Sequence, residues 1–317
     1  MPARPSPRVL LLVAVLAALA GLAVTGFGGT APASRATGPD ATTACGLRPG
    51  TTTRVSVPVD DQPARSALVH MPRVRHGRPA LVLALHGAYA TGAFMERYSG
   101  LSKLADQEGF AVVYPDAARP RWRISADEDS ADVQFLDALV DRLLTGGCFD
   151  ARTVSAVGVS NGAGMAARFA CAGDDRLAGL VSVAGGYGTL PTCTARRPLS
   201  VLEIHGTADT VVPYHGTPQD PRGDVLAWLR GWTDRDACPS APRRTWLRAG
   251  VLRLDWGACR DGTAVEHLRL DGGTHAWPGA DPPDPGPKLG VSAAQEAWSF
   301  LRGRRLDTGV AAEHDNG

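Results

Sequence analysis

Lysine is almost absent from this 317-residue chain. Only Lys103 and Lys288 carry an ammonium group, and arginine supplies the rest of the positive charge, a bias that reflects genomic base composition rather than function. The formal net charge is +1 and the arginines are scattered, so the basic block that a nucleic-acid partner requires is missing. Metal-ligand spacing is missing as well. There is no C-x-x-C pair and no His/Cys cluster, which argues against a metal site. No internal repeat, low-complexity array or interdomain linker appears, so solenoid and multidomain readings fall away. With 44% hydrophobic and 21% charged residues, the remainder has ordinary globular composition.

The one long apolar run is at the N-terminus. Arg4 and Arg8 precede an almost uninterrupted apolar stretch over residues 9–24, which is short for a spanning helix. Ala31-Pro32-Ala33 then offers a small-residue cleavage pattern before Ser34. Residues 1–33 read as an export signal peptide and 34–44 as a disordered leader; an uncleaved membrane anchor is the weaker alternative. Secretion is therefore expected, with no stable membrane association after cleavage. The mature chain is expected to be a monomer.

Cys45, Cys148, Cys171, Cys193, Cys238 and Cys259 all lie in the exported part. An even number in an oxidising compartment suggests three disulfides, although spacing alone does not determine their connectivity. Nearest-neighbour pairing favours Cys171–Cys193 and Cys238–Cys259, which leaves Cys45–Cys148.

Between residues 45 and 303 strands alternate with helices. Residues 54–59 and 66–71 read as an antiparallel edge hairpin. Residues 80–85 and 110–114 are continuously apolar, as strands buried on both faces should be. Residues 95–107 read as one helix stopped by Gly109, and 131–144 as an amphipathic helix. Further strands are expected at 153–157, 180–183, 199–204, 251–254 and 265–270, and helices at 224–236 and 291–301. Residues from 304 onward read as a frayed tail. This alternation predicts an α/β domain with a mostly parallel sheet and helices on both faces.

Gly158-Val159-Ser160-Asn161-Gly162 sits between the strand at 153–157 and a helix start rich in small residues. A G-x-S-x-G in that setting is a nucleophile elbow: the tight turn lifts the serine hydroxyl above the sheet, and the helix N-terminus directs free N–H groups at developing negative charge. A glycine-rich turn whose serine merely caps the helix would share the letters. A serine nucleophile needs a base and a group to orient that base. Asp209, in the loop after the strand at 199–204, and His275, in the loop after the strand at 265–270, supply them in the order Ser, Asp, His. Asp220 and Asp224 lie further from a strand end. His86 and His205 sit at strand ends beside a glycine and are expected to pack there; His267 lies inside a strand and His215 in a proline-rich stretch. Oxyanion donors are expected from the backbone N–H of Asn161 and of Ala88, with Tyr89 as the second choice.

Leu85-His86-Gly87, Tyr114-Pro115-Asp116, the serine pentapeptide, His205-Gly206-Thr207-Ala208-Asp209 with Val212-Pro213-Tyr214, and Gly273-Thr274-His275-Ala276-Trp277-Pro278-Gly279 resemble the secreted polyhydroxybutyrate depolymerase and feruloyl esterase group of α/β-hydrolases. The resemblance runs over about residues 45–303 and departs from the usual pattern at Thr274, where glycine is common. It implies an α/β-hydrolase fold and carboxylic-ester hydrolysis with no metal or organic cofactor. It also supports three disulfides. The implied substrates are a 3-hydroxyalkanoate oligomer, a hydroxycinnamoyl ester or a small ester. No polymer-binding domain is expected after the last helix, and soluble substrates are expected accordingly. Tyr89, Trp122 and Trp277 are candidates to line an acyl pocket, with core or rim packing open for each. Loops 116–130 and 186–198 are expected to shape that pocket. A peptidase or acyltransferase on the same scaffold, or a secreted binding protein without catalysis, are the alternative readings; the last would require a missing triad member.

Overall fold

A computed structural model describes residues 46–306 except 61, 75–76, 127–128, 173–174, 189, 191, 194, 218–219 and 284–285. The expected signal peptide, the leader, Cys45 and the tail beyond residue 306 lie outside the described residues.

The edge hairpin forms from β1 (Thr52–Val59) and β2 (Gln62–His70), with antiparallel pairing. Three apolar runs become strands in which every residue is buried: β3 (Leu81–Leu85), β4 (Ala111–Pro115) and β5 (Val154–Val159). Between β3 and β4 the expected single helix is two, α1 (Gly92–Ser99) and α2 (Leu101–Glu108). The break is Gly100, whose φ of 71° is left-handed and cannot continue a helix. Thr91 opens α1, its side chain accepting from the N–H of Phe94. Helix α3 (Ala131–Thr145) follows β4, and α4 (Asn161–Ala172) springs directly from the end of β5.

Then come β6 (Gly179–Val183) and β7 (Ser200–Gly206), again buried throughout. A separate two-stranded ribbon, β8 (His215–Thr217) with β9 (Asp220–Asp224), leads into α5 (Val225–Arg235). Asp224 caps α5, its carboxylate accepting from the N–H of Ala227 at 2.7 Å, so this aspartate is occupied as a helix cap. The chain closes with β10 (Arg243–Arg248), β11 (Val251–Trp256), β12 (Val265–Leu270) and α6 (Ala293–Leu301). Strand β10 was not expected from sequence. Every residue in it is exposed, so it has no apolar alternation to reveal it; its arginines suit an open sheet edge.

Among the described residues ten strands form one sheet in the order β1-β2-β4-β3-β5-β6-β7-β12-β11-β10. Pairing is parallel from β4 through β12 and antiparallel at both margins. Helices α3, α4 and α5 bury Leu136, Met165, Phe169 and Leu229 against one face. Helices α1, α2 and α6 bury Met95, Leu101, Ala297 and Leu301 against the other. The fold is the α/β-hydrolase type. Because β3, β5, β7 and β12 run parallel, the loops at their carboxyl ends share one rim.

Two disulfides hold the loops around this core. Cys171–Cys193 ties the end of α4 to the loop after β6, and Cys238–Cys259 ties the end of α5 to the turn after β11. Each closes a loop of just over twenty residues (separations 22 and 21). In the chain-entropy account such a bridge stabilises by on the order of 3 kcal/mol. Cys148 is disulfide-bonded as well. No helix among the described residues is long and apolar enough to cross a membrane.

Candidate active site

The elbow begins where β5 runs out. Ser160 has φ 56°, a left-handed value that costs a non-glycine residue on the order of 1–2 kcal/mol. The turn is held by Ser160 N–H donating to the carbonyl of Val183 at 2.9 Å, and by the Ser160 carbonyl accepting from Ala163 and Gly164 as α4 starts. Glycine is required on both sides. A Cβ on Gly158 would run into the backbone of Gly162, and one on Gly162 into the carbonyls of Leu85 and His86. The serine hydroxyl is thereby raised at the rim, half-buried rather than covered.

The loops after β7 and β12 bring the other two predicted residues to it. His275 Nε2 lies 2.9 Å from Ser160 Oγ, and His275 Nδ1 lies 2.7 Å from Asp209 Oδ2. The residues are 115 and 66 positions apart in sequence, so only the sheet brings them together. Close approach of the two loops depends on glycine again: a Cβ on Gly206 would strike the backbone of Gly273. The other oxygen of Asp209 accepts from the N–H groups of Val211 at 2.9 Å and Val212 at 2.8 Å. Burial by itself would raise the Asp209 carboxyl. Hydrogen bonds from His205 and His275 outweigh it and hold the group well below the usual carboxylate range.

The loop after β3 passes beside the serine, where a Cβ on Gly87 would lie 3.5 Å from Ser160 Cβ; this loop carries the N–H of Ala88, and α4 begins with that of Asn161. Neither has an acceptor among the described residues. Tyr89 N–H, the second choice for this role, is taken by the carbonyl of Pro120. The loop is clamped from behind. Trp122 Nε1 donates to the His86 carbonyl at 2.9 Å, and His86 Nε2 accepts from Ala117 N–H at 3.1 Å. The Asn161 side chain grips both backbone groups of Trp122, accepting from its N–H at 2.7 Å and donating to its carbonyl at 3.1 Å.

The sequence is 31% identical over 263 residues to the Nocardia uniformis subsp. tsuyamanensis protein named "Putative esterase NocK", across 73% of this chain and 76% of that one. It is 26% identical over 246 residues to the "Bifunctional acetylxylan esterase/xylanase XynS20E" of Neocallimastix patriciarum, and 25% identical over 235 residues to "Feruloyl esterase B" of Piromyces equi. The chain belongs to this family of feruloyl-esterase-like α/β-hydrolases. It is a carboxylic ester hydrolase. It covers 75% of its own length against the Neocallimastix protein and 67% against the Piromyces protein, but spans only 33% and 42% of theirs. Among solved structures, an acetyl xylan esterase from Aspergillus awamori superposes with a TM-score of 0.58 at 16% identity, over 80% of this chain and 99% of that one, a likeness of fold. No protein-family model matches the sequence.

Two pocket assignments in this esterase need correction. Trp122 and Trp277 do not line an acyl pocket; both are fully buried. Trp122 acts as the clamp described above, and Trp277 Nε1 donates to the carbonyl of Ser99 at 3.1 Å. Each indole has found an interior acceptor, which is the condition for burying it whole. An aromatic in an irregular loop reads the same in sequence whether it covers or is covered. Tyr89 is different. It is 85% exposed, holds φ 62°, and stands beside Ala88.

A buried polar cluster behind Asp209 was not singled out in the sequence. Glu203 and His205 lie on one face of β7, and both side chains are inaccessible. The signal was present: a carboxylate in the middle of a strand buried on both faces. His267 on β12 belongs to the same cluster, donating from Nδ1 to the Glu203 carbonyl at 3.1 Å and facing the Tyr214 hydroxyl with Nε2 at 2.7 Å. Burial, aided by nearby His205, pulls the His267 imidazole down to about 3. Its folded value lies below the unfolded one of about 6.5, so between these values the unfolded chain binds the extra proton. Stability from this group is complete above about pH 6.5 and drains away as pH falls toward 3. Thermal melts are expected to show Tm declining through that window, and His267→Gln should flatten the decline. An equal slope in both proteins would contradict this.

Proposed function

We propose that this esterase is exported and hydrolyses carboxylic esters through an acyl-enzyme formed on Ser160. The observation that carries the reading is the unbroken hydrogen-bonded line Ser160–His275–Asp209 at the carboxyl ends of parallel strands. Ser160 Oγ attacks the ester carbonyl carbon while its proton passes to His275 Nε2. Asp209 accepts a hydrogen bond from Nδ1–H, keeps the ring in the right tautomer and stabilises the imidazolium. Negative charge on the carbonyl oxygen is met by the N–H groups of Ala88 and Asn161, the latter on the first turn of α4. Collapse of the tetrahedral intermediate breaks the C–O bond, and the departing alcohol takes the proton from Nε2. Water then repeats the sequence and frees the acid. The apolar N-terminal run with its cleavage pattern and the disulfides support export.

The clamp on the oxyanion loop yields a first check. Trp122→Phe keeps the ring but leaves the buried His86 carbonyl without its donor, which costs about 1–3 kcal/mol. Loss of a direct oxyanion donor typically costs 10²–10³ in rate. A donor one step removed should cost less, about tenfold in kcat with KM little changed. A raised KM with intact kcat would place Trp122 in substrate binding instead.

For substrate we propose a soluble ester with a hydroxycinnamoyl or short hydroxyacyl group, received on the exposed rim formed by Tyr89 next to the oxyanion loop and Val211 next to Asp209. A non-glycine residue held at positive φ with its ring in solvent is what a stacking platform would look like. Turnover of methyl ferulate, a 3-hydroxybutyrate trimer and p-nitrophenyl acetate should be measured side by side. Tyr89→Ala is expected to raise KM several-fold for methyl ferulate and leave p-nitrophenyl acetate unaffected, in line with about 0.5–1.5 kcal/mol for an aromatic pair. Equal effects on both, or no turnover of the first two, would reject the assignment.

A further inference from the structure

The line of hydrogen bonds does not stop at Asp209. The oxygen that accepts from His275 also lies 3.3 Å from Nε2 of His205. That same Nε2 is 3.0 Å from the carbonyl oxygen of Val212. A carbonyl can only accept, so Nε2 of His205 carries a proton whatever the state of the rest of the ring. Nδ1, the other ring nitrogen, is 2.8 Å from Glu203 Oε1. The second oxygen of Glu203 accepts from the Tyr187 hydroxyl, which in turn pairs with the Ser182 hydroxyl. The imidazole is thus a buried bridge between two carboxyl groups, one of which is bonded to His275.

We propose that His205, backed by Glu203, is a positioning residue of the active site: it locks Asp209 as an ionised acceptor and limits the basicity of His275. This rests on the Ser160–His275–Asp209 assignment. Three N–H donors converge on one carboxylate, Val211 and Val212 on Oδ1 and His275 on Oδ2, and His205 Nε2 stands 3.3 Å from Oδ2 as an ion-pair partner. Together they hold the carboxylate plane in the orientation that faces His275. With Glu203 Oε1 at one ring nitrogen and Asp209 Oδ2 near the other, His205 is held as a cation beside Asp209, while burial pushes the Glu203 carboxyl up. The cation in the middle takes part of the Asp209 field that would otherwise act on His275 alone, and as a like charge it opposes protonation of His275.

The rest of the surroundings fit this arrangement. Burial works against a charged His205, but hydrogen bonds to Asp209 and Glu203 prevail and lift it to about 10. The groups facing His205 are Glu203 on its own strand, Asp209 from the following loop, the Tyr214 ring edge at 5.9 Å between centroids, and His267 across the Glu203 carbonyl. Those facing His275 are Ser160 and Asp209. The collision that a Cβ on Gly206 would make with Gly273 shows how tightly the strand carrying Glu203 and His205 abuts the loop carrying His275.

The test is the pH profile of kcat/KM for p-nitrophenyl acetate. His205→Gln retains a donor toward Asp209 but removes the positive charge. Its acid limb, which reports His275, is expected to move up by about one pH unit, with kcat reduced and KM unchanged. A folded His205→Gln protein with an unmoved acid limb overturns the proposal, however far kcat falls, because loss of packing alone does not shift that limb. Where His205→Gln does not fold, Glu203→Gln is the second variant: a displaced limb supports the proposal and an unmoved one overturns it. Ser160→Ala belongs in the same assay. If that variant keeps its activity, the underlying assignment fails and this proposal with it; if it is inactive and the limb is unmoved, only the proposal fails.

Discussion

Ser160→Ala is expected to lower kcat for p-nitrophenyl acetate by about 10⁶-fold, leaving only the 10³–10⁴-fold advantage over water that oxyanion donors and binding provide. The substitution removes one atom. Alanine can hold the same left-handed backbone, and the hydrogen bonds that shape the turn are made by the backbone N–H and carbonyl of residue 160. His275 stays bonded to Asp209. The far-ultraviolet spectrum and Tm should therefore change little while turnover disappears. Labelling by a fluorophosphonate probe should vanish with it. A variant that keeps even a tenth of its kcat would show that the nucleophile lies elsewhere.

Asp209→Asn is expected to reduce kcat by about 10⁴-fold, through geometry as much as charge. The carboxylate receives two backbone N–H groups on one oxygen and two imidazoles on the other. An amide offers only one oxygen. If that oxygen keeps the backbone donors, the new NH₂ faces both rings. His275 can then pair only by moving its proton to Nε2, where it points at Ser160 and cannot act as a base. His205 has no such escape, because its Nε2 proton is also held by the Val212 carbonyl. If the amide turns the other way, two backbone N–H groups lose their acceptor, at about 1–3 kcal/mol each. The wild-type carboxyl, held well below its ordinary range, contributes stability that is full above about pH 4 and lost as pH falls through the folded value. The amide cannot titrate, so the acid branch of the Tm profile should be shallower in the variant. A loss of less than tenfold in kcat would argue against Asp209 as the orienting group.

Much of this site was legible because the demands on it are local. A strand buried on both faces reads as a mainly apolar run, which exposed β3, β4 and β5 to a reading of sequence alone; β7 follows the same pattern despite Glu203 and His205 inside it. The elbow glycines follow from a turn with no space for a Cβ, and the strand ends place Asp209 and His275 on the serine's rim. Where the reading went astray, the deciding fact was not local. A helix from Met95 onward has continuous periodicity, and only the left-handed value at Gly100 breaks it into two. Strand β10 carries no buried face, so its place at the sheet edge is set by its partner β11. Trp122 and Trp277 have the same letters as pocket residues, yet their indole N–H groups found carbonyls inside the protein.

By itself, then, the sequence determined the alternation of the buried parallel strands with helices, the tight serine turn, and which loop residues have the chemistry to meet it. Tertiary structure decided which of them do meet, because contacts across 66 and 115 positions depend on how parallel strands stack rather than on any neighbouring residue. It also decided the partners of the buried polar groups. Glu203 inside a strand is a cost until His205 and Tyr187 are assembled around it, and that assembly exists only once β7 is seated between β6 and β12.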